Sequence, residues 1–341
     1  MNDIEFLIAG AGILGTGGGG DPIEAMVYAK SLQSMPAIVQ LEKLDPDAIV
    51  CTAFMVGSSA SFEKGSSTAL LAAKAAFEGL VKSKVSGIIP VEIGPGAISE
   101  AIKASVMFGV PLVDADIVGK RSAPEVYLET TTLAGIAREP LAVANNGGDV
   151  KIIESANGYK ETESILRSFA IKSGGCAYVI GYPMKVSLIR GVVGEGTVSL
   201  AILLGKCLGK PDPIGEVCNL TGGSVLFSGT VNEVKKEGRG GFLVGEALIV
   251  DGKSEARVWF KNENLMLWVD GKLKACAPDL ICMLNTKNVY GTYNRDLAKG
   301  NQVTVVGIPA LPIWRTKKGK ELFGPRAFGF EEDYVDFKVS L

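Results

Sequence analysis

The sequence predicts an α/β domain with a mostly parallel sheet, followed by a β-rich α+β domain. Apolar runs of strand length alternate with stretches of helical periodicity in the first half, as in βαβ units. From about residue 223 to 284 the pattern changes to strands separated by glycine or asparagine turns. A chain of 341 residues is typical of roughly two domains. We therefore predict domains over residues 1–160 and 161–341.

Two helices are predicted at the start of the chain. Asn2 or Asp3 can cap the first, whose apolar residues recur at spacings of three and four as far as Leu14. The second has stronger start signals, because Asp21 is a suitable N-cap and Pro22 fits the first helical position.

The remaining elements follow from periodicity and turn residues. Helices are predicted at 64–82, 96–108, 161–173 and 197–208. Strands are predicted at 37–41, 47–54, 87–93, 111–113, 176–181, 225–234, 242–250, 256–260, 265–269, 273–275 and 302–308. Asp-Gly pairs at 251–252 and 270–271 are typical hairpin turns.

Composition excludes several classes of function. The chain contains no histidine, so Ser-His-Asp triads, Cys-His dyads and three-histidine zinc sites are excluded. Its 35 Lys and Arg residues balance 37 Asp and Glu residues, and no basic stretch is interleaved with aromatics, so we expect no nucleic-acid partner. Acid–base chemistry must then use carboxylates, Lys, Tyr, Cys or a metal-bound water.

The location and assembly follow from apolar patterning. No apolar run reaches the ~18 residues of a membrane span, and acidic residues precede the first apolar run where a signal peptide would be basic. The six cysteines form no CxxC pair, as expected of reduced, buried thiols. We expect a cytoplasmic protein without a membrane partner, and the 47% hydrophobic content favours a homo-oligomer.

The most informative stretch is the run Gly15-Thr16-Gly17-Gly18-Gly19-Gly20 before the second helix. Bare backbone leading into a helix N-terminus presents N–H groups at the positive end of the helix dipole. We therefore predict that Thr16, Gly17, Gly18, Gly19 and Gly20 bind an anion, a carboxylate or a polarised carbonyl. The alternative is a turn that lets two elements pack closely.

Two glycine-based cofactor motifs are not fulfilled. Residues 10–15 match GxGxxG, but the helix start at Asp21 comes too late for a dinucleotide fingerprint. The glycine run also lacks the Lys and Ser/Thr of a P-loop. We expect neither a nicotinamide nor ATP.

Acidic side chains follow two predicted strands. Glu92 ends one strand, and Asp114 and Asp116 follow another, where ligands of α/β sheets collect. Arg121 offers a rigid fork of donors for a carboxylate or a planar polar ligand. Glu125 is either a base or a group that holds Arg121. The alternative is a surface network of salt bridges.

Five segments give the chain a family resemblance: 14–22 (LGTGGGGDP), 113–125 (VDADIVGKRSAPE), 260–265 (FKNENL), 277–281 (APDLI) and 324–334 (GPRAFGFEEDY). In these it resembles the family once called domain of unknown function 917, also called S-methyl-thiohydantoin desulfurase-like and often labelled hydantoinase- or oxoprolinase-related. The resemblance implies two domains and, for characterised members, hydrolysis of S-methyl thiohydantoins to hydantoins with release of methanethiol. Members commonly carry GRA where this chain has Lys120-Arg121-Ser122.

Residues and resemblance together give a catalytic hypothesis. Asp116 or Glu92 activates water, directly or through a divalent metal, whose presence the sequence leaves open. The glycine run and Arg121 bind the ring carbonyl and the amide anion, and Asp114 orients Arg121 or a ligand.

Two residues of the second half complete the predicted pocket. Glu263 and Asn264 close it across the domain interface, where small-molecule sites often lie; a polar β-turn is the alternative for residues 262–264. The predicted partner is thus a small-molecule substrate, and the predicted function a hydrolase of five-membered cyclic amides or thioimidates. The alternative is a non-catalytic protein that captures an anion with the glycine run.

Overall fold

A computed structural model describes residues 1–32, 35–57 and 66–336. The helices are α1 (Asp3–Leu14), α2 (Pro22–Ser31), α3 (Ser67–Val81), α4 (Pro95–Phe108), α5 (Thr130–Leu133), α6 (Tyr159–Lys172), α7 (Val186–Ile189), α8 (Thr197–Cys207), α9 (Pro213–Thr221) and α10 (Lys317–Phe323).

The strands of the first half are β1 (Ile38–Val39), β2 (Ile49–Gly57), β3 (Gly87–Ile88), β4 (Leu112–Val113), β5 (Ala115–Asp116), β6 (Leu141–Ala144), β7 (Val150–Ile153), β8 (Cys176–Lys185) and β9 (Gly194–Glu195). Those of the second half are β10 (Ser224–Arg239), β11 (Phe242–Val250), β12 (Glu255–Lys261), β13 (Glu263–Val269), β14 (Lys272–Cys276), β15 (Leu280–Asn285) and β16 (Gln302–Ile308).

The first sheet is mixed, with the strand order β1-β4-β3-β2-β8-β6-β7. Strands β1, β4, β3 and β2 pair in parallel, whereas β8, β6 and β7 pair with their neighbours in antiparallel fashion. The second sheet, β14-β13-β12-β11-β10-β16-β15, is antiparallel throughout. The predicted fold class is therefore confirmed. Residues on both sides of position 160 contribute to the first sheet, because β8 pairs with β2.

The helix starts form as the capping residues predict. The Asn2 side chain accepts a hydrogen bond from the N–H of Glu5 at 3.0 Å. Asp21 accepts from the N–H groups of Ile23 and Glu24 at 2.8 and 3.2 Å, so α2 begins where the capping signal indicates. The two strands of the β6–β7 hairpin were not among the predicted strands.

The GxGxxG match serves helix packing. Its first glycine lies inside α1, where a Cβ on Gly10 would stand 1.8 Å from the carbonyl oxygen of Ala201 in α8. A Cβ on Gly205 would likewise stand 2.0 Å from the carbonyl oxygen of Phe6. These two glycines let α1 and α8 cross at backbone contact, which fixes the segment that follows α1.

One buried apolar cluster joins the two halves. It contains residues of α1 and α4 such as Leu7 and Ile98, and residues of β15 and β16 such as Leu280 and Val306. The segment after α1 therefore lies against the second sheet. No helix within the described ranges combines the length and the apolar character needed to cross a bilayer.

Candidate functional site

Three segments meet between the two sheets. We call residues 15–20 the glycine loop and residues 117–125 the arginine loop; the third is the β12–β13 turn. A Cβ on Gly18 would stand 2.0 Å from Oε1 of Glu263, and one on Gly19 would stand 2.2 Å from Oγ of Ser122. The glycine loop thus lies in direct contact with both other segments.

The loop's conformation and its surroundings both require glycine. Gly17, Gly19 and Gly20 have φ of 92°, 74° and 96°, in the region that disfavours residues with a Cβ. Thr16 adopts φ 51°, and its side chain is fully buried. The close approach explains why so many glycines occur together here.

Several amides of the glycine loop bond within the chain. The N–H of Gly18 donates to the carbonyl of Gly15 at 2.8 Å, and that of Gly19 donates to Oε1 of Glu263 at 3.1 Å. The carbonyl of Gly19 accepts from the N–H of Gly96 at 2.8 Å, in the first turn of α4. The geometry thus matches the alternative of a close-packing turn, and the Gly19 N–H contacts the chain's own Glu263 carboxyl group.

That carboxyl group, Glu263, opens β13 and is 2% exposed. Its Oε2 has no hydrogen-bond partner among the described residues. Burial raises the pKa of Glu263 well above its ordinary value, and the charge of Glu92 acts in the same direction. Arg121 and the hydrogen bond from the Gly19 N–H oppose this rise in the pKa of Glu263.

Arg121 is fully buried opposite this group. Its Nε donates to the carbonyl of Ser122 at 2.9 Å, and Nη1 donates to the carbonyls of Pro278 and Asp279 at 2.5 and 3.1 Å. The guanidinium also lies 4.5 Å from the ring centre of Phe323. Burial lowers the pKa of Arg121 to about 10, while nearby Glu263 acts to raise it, so the group stays charged at neutral pH.

One nitrogen of this guanidinium is left over. Nη2 of Arg121 has no partner in the described part of the chain. A buried donor without a partner costs about 1–3 kcal/mol, and such groups are rare enough to need an explanation. Arg121 and Glu263 thus each have one unsatisfied atom.

Glu92 lies in the loop after β3 and is the third ionisable side chain of the site, beside Arg121 and Glu263. It is partly exposed, and its Oε2 accepts from the N–H of Ala123 at 2.9 Å. Burial raises the pKa of Glu92 to about 7; the Ala123 N–H and Arg121 oppose this rise, and the charge of Asp116 adds to it. The structure therefore brings Glu92, Arg121 and Glu263 together beside the glycine loop.

An amide network borders this group. The N–H of Asn264 donates to the carbonyl of Thr16 at 2.7 Å, and its Oδ1 accepts from Nδ2 of Asn294 at 2.9 Å. Oγ1 of Thr16 and Oδ1 of Asn294 are buried and lack partners among the described residues. Asn294 was not predicted from the sequence. It lies in the irregular segment between β15 and β16, where no motif or periodic pattern marks a functional residue.

The two aspartates face elsewhere. Oδ2 and Oδ1 of Asp116 accept from the N–H groups of Gly119 and Lys120 at 2.6 and 2.8 Å. Both oxygens of Asp114 accept from Ser199, at 2.9 Å from its N–H and 2.6 Å from its hydroxyl. Asp116 thus holds the turn before Arg121, and Asp114 holds the first turn of α8 rather than orienting Arg121.

Glu125 does not hold Arg121 either. It forms an ion pair with Lys261, which lies directly opposite Glu263 in the register of β12 and β13. Burial raises the pKa of Glu125, and the pairing with Lys261 opposes the rise. Within the described residues, no three His, Cys, Asp or Glu side chains are grouped so as to hold a metal ion.

Comparison with known proteins assigns the chain to a family. Residues 2–155 match the family model described as S-Me-THD-like, N-terminal domain, and residues 157–337 match S-Me-THD-like, C-terminal domain. The chain belongs to the S-Me-THD-like family. This agrees with the resemblance in the five sequence segments.

A solved structure shares the fold of this S-Me-THD-like protein. The crystal structure of a protein from Chromobacterium violaceum is 21% identical, covers 98% of each chain and superposes with a TM-score of 0.84. No curated protein matches the chain.

The segments that carried the resemblance meet around Arg121. The 277–281 segment supplies the carbonyls of Pro278 and Asp279 that hold the guanidinium. Oδ2 of Asp279 accepts from the hydroxyl of Tyr334 at 2.7 Å, which ties the 324–334 segment to the same place. Arg121 itself belongs to the 113–125 segment, and Gly18 of the glycine loop contacts Glu263 of the 260–265 segment. All five segments thus contribute to this region.

Proposed function

We propose that this S-Me-THD-like protein is a hydrolase of five-membered cyclic amides or thioimidates, with S-methyl thiohydantoins as the substrate class. The observation that carries the proposal is the pair of unsatisfied atoms, Nη2 of Arg121 and Oε2 of Glu263, at the interface between the two sheets. A planar ring with a carbonyl oxygen and ring nitrogens would satisfy both. Membership in the family supports the choice of ring.

In the proposed reaction, Glu92 is the general base. A pKa of about 7 is suited to proton transfer at neutral pH. Glu92 takes a proton from water as the water oxygen attacks C2 of the ring. The C–S bond then breaks, and methanethiolate takes the proton from Glu92. The second proton of the water moves from the new hydroxyl to the ring nitrogen, so that the ring keeps the oxygen as a C2 carbonyl. One water is consumed, and hydantoin and methanethiol are formed.

Arg121 and Glu263 stabilise the charge that develops on the ring. Attack at C2 places negative charge on a ring nitrogen and its adjoining carbonyl oxygen. Nη2 of Arg121 donates to that anion, and Glu263 donates from Oε2 in its protonated form, which the raised pKa favours. Donors fixed in a buried site act strongly because they need no reorganisation during the reaction, and a buried acid kept neutral is a known hydrogen-bond donor of this kind.

The test is release of methanethiol from an S-methyl thiohydantoin by the purified protein. Replacing Glu92 with Gln removes the base, and we expect turnover to fall by about 10²–10⁴-fold. Glu100→Gln is the matched control, because Glu100 is another partly buried glutamate with a raised pKa, and its partners are Tyr178 and Lys103. It should retain wild-type turnover.

Three results would decide against the proposal. No methanethiol release by the folded wild type would remove the substrate class, and binding of hydantoin without turnover would favour the non-catalytic alternative. Undiminished turnover in Glu92→Gln would remove the assigned base.

A further inference from the structure

A second group of buried charges lies where the end of the arginine loop approaches α6. Six buried side-chain atoms lack partners in the described residues, and the two outside the site above are Oε2 of Glu125 and Nη1 of Arg138. Glu125 is 9% exposed and Arg138 is 6% exposed. An acceptor and a donor of opposite charge are thus both left unsatisfied in one neighbourhood.

A pair of tyrosines links the two side chains. The guanidinium carbon of Arg138 lies 5.9 Å from the ring centre of Tyr159. The Tyr159 and Tyr127 rings are 4.5 Å apart, and Tyr127 is two residues from Glu125 and within range of its charge. Both tyrosines are partly exposed, so the group reaches the surface. We call Glu125, Tyr127, Arg138 and Tyr159 the tyrosine cluster.

The other charges around the cluster are already paired. Oε1 of Glu125 is bonded to Lys261, and Glu163 is bonded to Arg167. Nη2 of Arg138 donates to the hydroxyl of Thr132 at 2.7 Å. The neighbouring side chains are therefore already bonded, and none of them bonds Oε2 of Glu125 or Nη1 of Arg138.

Arg138 has little anionic compensation. Its nearest carboxyl partner is Glu129, at 3.9 Å from Nη2. Burial raises the pKa of Glu129 to about 8, while Arg138 opposes the rise and the hydroxyls of Tyr182 and Thr131 donate to the same carboxyl group. Glu129 thus shares its bonding with other groups and does not reach Nη1 of Arg138. An added carboxylate would match the free donor of this guanidinium fork.

We infer that the tyrosine cluster binds a small carboxylic acid that also carries an N–H donor. The carboxylate bonds Nη1 of Arg138, the N–H donates to Oε2 of Glu125, and the connecting part of the molecule lies against the Tyr127 and Tyr159 rings. One ligand of this kind satisfies both leftover atoms. The site does not depend on the proposed hydrolase activity, because it uses neither Glu92, Arg121 nor Glu263.

The experiment is calorimetric titration of the full chain with N-acetylglycine, N-acetyl-β-alanine and N-acetyl-γ-aminobutyrate. These probes share a carboxylate and an N–H but differ in the spacing between them, and we expect one to bind saturably. Two matched probes dissect the contacts: N-acetylsarcosine keeps the carboxylate without the N–H, and N-acetylglycinamide removes the carboxylate. Each should bind at least tenfold more weakly than the best member of the series.

Variants assign the binding to the cluster. Glu125→Gln keeps an oxygen for Lys261 but turns an N–H₂ group toward the ligand's donor, and Arg138→Met removes the fork; each should weaken binding at least tenfold. Arg138→Lys keeps the charge without the fork, and it serves if Arg138→Met does not fold. Arg257→Met, an exposed arginine of β12, should bind like the wild type. The inference is overturned if none of the three probes binds, or if binding is unchanged in folded Arg138 and Glu125 variants.

Discussion

Asp116 and Glu263 are both buried carboxyl groups, but their oxygens are bonded in different ways. Both oxygens of Asp116 accept backbone N–H groups from the turn that follows it. Glu263 has one oxygen on the Gly19 N–H and one oxygen with no partner among the described residues. A carboxyl group whose two oxygens both accept backbone N–H groups holds the backbone in place. A carboxyl group with one unpartnered oxygen can still bond a ligand. This difference supports the proposal that Asp116 has a structural role and that Glu263 and Arg121 act on the substrate.

In this comparison, the largest effect on activity should come from replacing Arg121, whose Nη2 has no partner among the described residues. Arg121→Lys keeps the positive charge but loses the Nη2 donor, and we expect methanethiol release to fall by about 10²–10³-fold. The measurement is kcat on protein shown by circular dichroism to be folded. Arg257→Lys is the control, because Arg257 also lies over an aromatic ring, 4.2 Å from the centre of Trp268, but is exposed. Equal rates for the two variants would contradict the assignment.

Replacing Asp116 should instead change the stability of the protein. Asp116→Ala leaves the N–H groups of Gly119 and Lys120 buried without an acceptor, which should lower the free energy of unfolding by about 2–4 kcal/mol. Chemical denaturation measures this loss. Activity per folded molecule should remain within a few-fold of wild type. Strong loss of activity with unchanged stability would return Asp116 to the catalytic role that the sequence predicted.

The pH profiles of the wild type and of Glu92→Gln together test whether Glu92 is the base, because burial also raises the pKa of Asp116 to about 7. A base must be deprotonated to act, and the pKa of Glu92 is raised to about 7. We expect kcat/KM to fall about tenfold per pH unit as the pH drops below that value, and to level off above it. The residual activity of Glu92→Gln should lack this limb. A limb that persists unchanged in the variant would assign the titration to another group.

The smallest effects compare two glycines. Gly18→Ala places a methyl group against the Glu263 carboxyl, 2.0 Å from Oε1, so it should shift that group and lower activity. Gly79→Ala, in α3, meets nothing within 4 Å and should raise the free energy of unfolding by about 0.5–1 kcal/mol without changing activity. Thermal melts and the methanethiol assay check both. Wild-type activity in Gly18→Ala would show that the contact with Glu263 is dispensable.

Local signals predicted most of the fold. The caps at Asn2 and Asp21 and the helical spacing through Leu14 give α1 and α2, and the Asp-Gly turns give the hairpins of the second sheet. The strand order could not be predicted from the sequence, because β8 is distant in the chain from β2 and no local pattern specifies that pairing. Short strands such as β6 lack enough residues to show a period.

The candidate site was predicted in part. Residue types identified Glu92, Arg121, Glu263 and the glycine loop as neighbours of one site. The sequence could not show which polar atoms already have partners within the chain. It offered Asp116 as an alternative base to Glu92 and Asp114 as a residue that orients Arg121, whereas Asp116 bonds the amides of residues 119 and 120 and Asp114 bonds Ser199. For the same reason, the sequence could not show that the N–H groups of Gly18 and Gly19 bond within the chain.

A crystal structure of the protein with hydantoin bound tests the central claim most directly. We predict that the ring lies between the two sheets, with one of its atoms within hydrogen-bond distance of Nη2 of Arg121 and another within that distance of Oε2 of Glu263. A ring bound elsewhere, with both of these atoms still unpartnered, would contradict the account.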